Sequence, residues 1–443
     1  MTRLRIMRRA ASHPRVAYRS WIAMVAIPLM VAAEYRFSGG RSQTSAWSGS
    51  ADKGTAIEIV VVAIAGIVLL FAVPWPPRQV RAPALIVVLW GFTLAMGLVA
   101  FWSPYPLLAA VRALQLIMVA WFAQLIGRFG TRAQLWRLCH AFILLVSVSI
   151  LVGVAVHHPP TGQEGRFTWL YMHPNISGAF VGISTTVVVA CLLRRQAGAP
   201  EAPWPIWAYS AALVLNAGAL LATRSRGSLA GAVAGLILLG WSASRRRSRI
   251  DLTVVGVSSV AIVWLLASGD ILTYLARGDT TAKLETLNSR TEVWNQGLQL
   301  FGDRPWFGHG FMSARGAFLN TFGLGGAHNA LVEVLVNAGL FGTVWWLALL
   351  FVAFKVATRL TARRHPDGPL LLGILGFLVV NALTAGELAQ AATVQSMWLF
   401  IVVGWLVGIS TRHEETVAVA KGSAESPSRE QIVPAFGSGA QRG

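Results

Sequence analysis

Apolar residues recur along this chain in runs of about 18–20 residues, each long enough to cross a bilayer as a helix. About twelve such runs can be counted. They centre on Ala26, Ile64, Thr93, Met118, Val146, Val187, Leu213, Leu236, Val260, Leu347, Leu375 and Val402. The first is the weakest, because it contains Pro28 and ends at Glu34. Most polar segments between runs are short, and one is long, covering residues 269–327. The pattern predicts an all-α integral membrane protein, a polytopic bundle of about twelve transmembrane helices. The long helical loop falls between spans 9 and 10.

Composition agrees with the pattern. The chain has 443 residues, 55% hydrophobic and only 12% charged, far from a soluble globular balance. A net charge of +19 could signal nucleic acid, but its distribution points elsewhere. With an even number of spans and the amino terminus inside, the inner segments hold Arg3, Arg5, Arg8, Arg9, Arg78, Arg81, Arg128, Arg132 and Arg137. They also hold Arg194, Arg195, the Arg245-Arg246-Arg247 run, Lys355, Arg359, Arg363 and Arg364. The outer segments hold roughly half as many, which is the positive-inside bias. Both termini are then cytoplasmic, in an inner-membrane protein with the long loop outside. No nucleic-acid partner is implied. Cys139 and Cys191 lie near inner span ends and imply no disulfide framework. The chain divides into a basic amino terminus (1–20), a transmembrane bundle (21–411) and a polar tail (412–443) read as disordered. The first run lacks a convincing cleavage site and reads as an uncleaved signal anchor.

The long outer segment contains a helix signal. Ser289-Arg290-Thr291-Glu292 has capping-box spacing. Trp294, Leu298 and Phe301 follow as an apolar stripe, and Gly302-Asp303-Arg304-Pro305 ends the helix. Arg290 would stand at the first helical position, where backbone N–H groups and the dipole favour anions.

Arg224, Arg226, Arg290 and His328 all fall on the outer side. Arg226 sits in a short turn between two spans and cannot extend far from the bundle, and a boundary arginine so placed usually has an anionic partner. Arginine binds phosphate oxygens in a fork, so arginines on two outer segments suit a diphosphate. His328 precedes a helix start that Asn329 can cap. A positive helix end favours the neutral imidazole, which can accept a proton from a hydroxyl. Alone, His328 reads as an interfacial or capping histidine. The stretch Arg166-Phe167-Thr168-Trp169-Leu170-Tyr171-Met172-His173-Pro174-Asn175 suits sugar contact through Arg166, His173 and Asn175, or an interfacial aromatic belt. Arg112, roughly two turns inside its span, needs a partner or a wet cavity and is a secondary candidate for a donor headgroup. No closely spaced carboxylate pair occurs in the long loop, and His157-His158 are adjacent, so no metal or cofactor is expected.

These residues resemble the O-antigen ligase and O-antigen polymerase superfamily, integral-membrane glycosyltransferases that use polyprenyl-diphosphate-linked glycans. The likeness is most specific over 223–342. Ser225-Arg226-Gly227 looks like the family's arginine turn. Arg290 with Trp294, then Asp303-x-Pro305 and Gly308-x-Gly310, looks like its loop helix and exit. His328-Asn329 with Gly339 and Gly342 looks like its histidine signature. The two glycines are expected to permit close helix approach. The chain departs at Asn337, where an acidic residue often stands; Glu333, one turn earlier, could compensate. The resemblance implies that Arg226 and Arg290 hold a diphosphate, that His328 serves the acceptor, and that Arg224, Trp294 and the residues above contact substrate. The implied partners are a lipid-linked glycan donor, a lipid- or glycan-linked acceptor and membrane lipids.

The reaction so implied is glycan transfer to an acceptor hydroxyl at the outer face, metal-independent and inverting. The competing reading is a transporter or flippase for lipid-linked saccharides, which would place its charges near the midplane on interrupted helices. A non-catalytic scaffold in envelope assembly is the third.

Overall fold

A computed structural model of the protein describes residues 20–35, 53–72, 83–156, 166–168, 170–171, 173–244 and 290–425. Among these the only strand-like pairing is an isolated bridge between Tyr35 and Tyr171, and the architecture is helical. In chain order the helices are α1 (Trp21–Glu34), α2 (Lys53–Ala72), α3 (Pro83–Val99), α4 (Pro106–Phe129), α5 (Arg132–Val156) and α6 (Pro174–Gln196). Then come α7 (Ile206–Ala222), α8 (Arg226–Ala243), α9 (Arg290–Asp303), α10 (Ser313–Phe322), α11 (Ala330–Ala362), α12 (Gly368–Ala382) and α13 (Val394–Glu425).

Seven segments are long and apolar enough to cross a membrane: Ala84–Trp102, Pro106–Phe129, Arg132–Val156, Pro174–Gln196, Arg226–Ala243, Ala330–Ala362 and Val394–Arg412. Shorter apolar helices cover Trp21–Glu34, Ala56–Leu70, Ile206–Ala222 and Gly368–Ala382. The run expected around Val260 lies outside the described residues, as do 1–19 and 269–289. The expectation of about twelve full spans therefore reduces to seven long helices and four short ones among the described residues. Fourteen residues in α1, with Pro28 inside it, rise only about 21 Å, against about 30 Å of hydrocarbon.

The bundle is organised around α13. Within Val394–Arg412, 94% of the spanning window is buried, so this helix runs through the centre and meets protein on all sides. The helix continues to Glu425, past Arg412, where the polar composition predicts disorder. Good helix formers among Glu414, Glu415, Ala418, Ala420 and Lys421 let the backbone ladder continue. Residues 426–443 lie outside the described residues.

Helices α8 and α12 pack closely. Gly227, Gly231 and Gly235 repeat every four residues on one face of α8. A Cβ on Gly231 would stand 2.9 Å from the Phe377 carbonyl oxygen, and one on Gly235 would stand 2.8 Å from that of Gly373. Small residues at this spacing let two backbones touch, which is how helices gain dispersion energy in lipid.

One long helix is broken. In α11, Gly339 has φ 58° and ψ −156°, outside helical space. The N–H groups of Leu340 and Phe341 bond the carbonyls of Pro305 and Trp306 at 2.8 and 3.0 Å. A Cβ at Gly339 would lie 2.5 Å from the Trp306 carbonyl carbon. Gly339 thus interrupts the helix and admits the 305–306 backbone, whereas the sequence suggests only close helix approach. Asn337 completes the joint: its Oδ1 accepts from the Ala314 N–H at 2.9 Å and the Ser313 hydroxyl at 3.2 Å, holding the start of α10. Gly339→Ala should lower the detergent melting temperature, costing about 1–3 kcal/mol from strain alone. Gly66→Ala, with nothing within 4 Å of the added Cβ, should not. Equal melting of the two variants would contradict this account of the break.

Candidate functional site

The basic candidates gather at one end of the bundle, each at a helix start or in a loop. The turn after α7 carries the first two. Thr223 Oγ1 accepts the Ser225 N–H at 3.1 Å, and Arg224 takes a left-handed backbone, φ 49°. The chain reverses there, and Ser225 and Arg226 open α8. Arg166 braces this turn: its Nε donates to the Thr223 carbonyl at 2.9 Å and its Nη2 to Asn175 Oδ1 at 3.1 Å. Asn175 Oδ1 also accepts the Ser225 hydroxyl at 3.2 Å, and His173 Nδ1 accepts the Asn175 N–H, capping α6. Arg166, His173 and Asn175 are thus brought against the arginine turn, and these bonds position it.

The described residues of α9 begin at Arg290, and Ser289, on which the expected capping box rests, lies outside them. The buried face of α9 differs from the expected stripe. Val293 and Gly297 are inward and Leu298 is 51% exposed, a rotation of one position. The cause is Gly297, where a Cβ would collide with Val332 of α11, so the helix seats on its smallest residue. Trp294 is partly buried, and its indole N–H donates to the Ala327 carbonyl at 3.0 Å.

That bond bears on His328, whose neighbours are fixed on both sides. The Ala327 N–H donates to Glu333 Oε1 at 3.1 Å. Asn329 caps α11 through Oδ1, accepting from Leu331 N at 3.0 Å and Val332 N at 3.3 Å. His328, between them, is held at φ 51°, a conformation costly for a residue with a Cβ. Glu333 Oε2 accepts Gln390 Nε2 at 3.0 Å, tying the His328 loop to the 383–393 loop. Glu333 therefore stays in the site's frame, while Asn337 serves α10.

Two residues absent from the sequence reading complete the cluster. Arg315 on α10 and Glu387 in the 383–393 loop interact electrostatically with each other, and Glu387 with Arg290. Burial and then the like charge of Arg226 push the Arg290 guanidinium down; burial and then Arg112 do so for Arg315. Burial pushes the Glu387 carboxyl up, against its bond from Gln395 and the pull of Arg315 and Arg290. Arg112 has its partner, an ion pair with Glu58, and Gln115 bridges both. Arg315 carries a faint signal, a lone arginine two residues past Ser313 on a short apolar helix. Glu387 carries less, one acid in a loop the span pattern treats as a plain connection.

Burial, then Arg290 and Arg315, lower the His328 imidazole to about 4 from its ordinary 6.5. The ring is neutral at pH 7 and flanked by guanidinium groups. This arrangement can bind a compact polyanion and accept a proton beside it. The described residues contain no group of three or more His, Cys, Asp or Glu arranged to hold a metal ion.

Against known proteins, residues 211–347 match the O-antigen ligase family. The match spans Arg224, Arg226, Arg290, Trp294, Arg315 and His328. The chain is 29% identical over 176 residues to an O-antigen ligase of Pseudomonas aeruginosa, covering 40% of each chain. It thus spans well under half of that relative. It is 25% identical over 366 residues to the exopolysaccharide production protein ExoQ of Rhizobium meliloti, covering 76% of this chain and 81% of that protein. These matches support the O-antigen ligase superfamily for this chain, and with the apolar helices they support a multi-pass membrane protein.

The folded protein keeps His328 neutral where the unfolded chain takes up a proton. Stability from this site is whole above pH 6.5 and is lost as pH falls toward about 4. Melting temperature should therefore drop across that window, and less steeply in Arg290→Gln, which removes one like charge. Parallel slopes in variant and wild type would count against the coupling.

Proposed function

We propose, from the O-antigen ligase superfamily that those matches support, that this protein transfers a glycan from a polyprenyl diphosphate to an acceptor hydroxyl. The reaction takes place at the outer face of the cytoplasmic membrane. The observation that carries this reading is a neutral imidazole, His328, beside Arg290 and Arg315, with Arg226 beside Arg290, at one end of an apolar bundle. A transporter would hold its charges nearer the middle, and α11 is broken only about 14 Å from its start.

Arg226 and Arg290, aided by Arg315, receive the diphosphate. The acceptor oxygen attacks the anomeric carbon from the side opposite the diphosphate, forming a new C–O bond and breaking the old one. The configuration inverts. The electron pair leaves with the diphosphate, whose growing charge the arginines stabilise in a site where water screens little. The hydroxyl proton passes to the His328 ring nitrogen. Arg166, His173, Asn175 and Trp294 fix the arginine turn and the histidine loop and border the path of the sugar. Arg224 and Arg112 lie at the edge of the donor headgroup.

In the free protein burial, then Arg290 and Arg315, make His328 a weak base. A bound diphosphate neutralises them, so the imidazole becomes more basic once the donor is seated. The pKa governing kcat should lie above that governing kcat/KM, which reports the free protein at about 4. Coincident values would remove this step. Arg290→Ala and His328→Ala should each slow transfer by about 10²-fold or more in a reconstituted assay with defined donor and acceptor. Wild-type turnover in either variant would end the role given to that residue.

A further inference from the structure

The opposite end of the bundle contains a cavity of about 650 Å³. It lies among the carboxyl-terminal ends of α6, α8 and α11 and the start of α12, with Trp136 of α5 at its side. Its size falls within the range of about 300–1,000 Å³ usual for small-molecule sites. One part of the wall is apolar, from Ala190, Leu193, Leu239 and Leu370, and Arg194, Arg364 and His365 lie in its polar part.

Among the described residues the carboxylates nearby are already taken. Asp367, wholly buried, accepts Arg132 through both oxygens, at 2.9 Å and 3.0 Å from Nε, and also the indole N–H groups of Trp136 and Trp405. Glu201 pairs with Arg132 and Arg194. The buried Nε of Arg194 has no hydrogen-bond partner among the described residues, and Arg364 is in no ion pair among them. Arg364 also stands at φ 56°, a strained backbone held at the end of α11 by the His365 N–H on the Leu360 carbonyl at 2.9 Å. The lining hydroxyls are spent within their own helices, Ser242 on Leu239 O, Ser244 on Gly240 O and Thr361 on Ala357 O. What the cavity offers a ligand is therefore cationic donors beside an apolar stretch of wall.

Arginines at helix carboxyl ends also offset the helix dipoles, which accounts for their presence. It does not account for a cavity of this size, nor for donors left over after the acids are saturated. We propose that the cavity binds a phospholipid with an anionic phosphodiester headgroup. The phosphate sits against Arg194 and Arg364, and an acyl chain lies along Leu193, Leu239 and Leu370. Guanidinium groups suit phosphate oxygens, and basic pockets between spanning helices are where such headgroups settle. This site is separate from the arginine and histidine cluster and does not depend on the transfer reaction proposed there.

The test is thermal unfolding of the delipidated full-length protein titrated with phosphatidylglycerol, phosphatidylcholine or sodium phosphate. Phosphatidylglycerol should raise the melting temperature; phosphatidylcholine and free phosphate should not. Arg364→Ala, at an exposed position, should weaken the apparent affinity about tenfold, the loss of one charged contact. Ser242→Trp, which fills the cavity without changing charge, should abolish the effect. Equal titration of wild type and both variants would mean only diffuse surface attraction, and overturns the site. Stabilisation by phosphate alone to the same extent overturns the lipid as its occupant.

Discussion

Like charge crowded into an apolar setting is the constraint to which the rest of this structure answers. On top of burial, Arg226 lowers the proton affinity of Arg290, and Arg290 and Arg315 lower that of His328. Repulsion of this kind inside a bundle is tolerated only if the backbone carrying each group is held by other means, and if acids are close. Both conditions are met. Glu387 and Glu333 lie among the cations, and the segments that carry the charged groups are fixed by hydrogen bonds. Arg166 and Asn175 hold the Arg226 turn, Asn337 holds the helix of Arg315, and Glu333, Asn329 and Trp294 hold His328.

The break in α11 makes that arrangement possible. A continuous helix would keep its own N–H groups and leave the loop from 304 to 312 unattached. Because Gly339 turns out of helical space, Pro305 and Trp306 bond directly into the helix, and α9, α10 and the His328 loop become one surface on the end of the bundle. A small satellite core of Val293, Ala314, Phe318, Ala327, Val332 and Val336 seals it from beneath. Rigid support under a polar site is what electrostatic catalysis needs, since donors that must reorganise at the moment of reaction stabilise little.

The two ends of the molecule treat charge differently. At the far end Arg132 is bound by Asp367 and Glu201, a satisfied network that ties α5 to α12 and to the connection after α6. At the site end Arg226, Arg290 and Arg315 are grouped with Glu333 and Glu387 around His328. Fixed positive charge at low dielectric is useful where negative charge arrives or develops. It would be a liability anywhere else in an apolar bundle.

The apolar periodicity alone determined the class of fold, because the cost of unpaired backbone groups in lipid leaves helices as the economical answer for these long runs. Local capping chemistry, through Asn329, likewise determined where α11 begins, and so that His328 stands just before its start. Span lengths, the buried face of α9 and the role of Gly339 were decided only in three dimensions. Each depends on what a neighbouring helix presents, as Val332 does to Gly297 and Trp306 does to Gly339. Arg315 and Glu387 joined the site for the same reason. Their chain neighbours carry no distinctive spacing, and only the packing of α10 and the 383–393 loop against α11 brings their charges to Arg290 and His328. The histidine and its two predicted arginines could be named from the sequence, because charge is conspicuous in an apolar chain. Their shared electrostatics could not, since interaction between charges depends on distance, and distance across a bundle is a property of the tertiary structure.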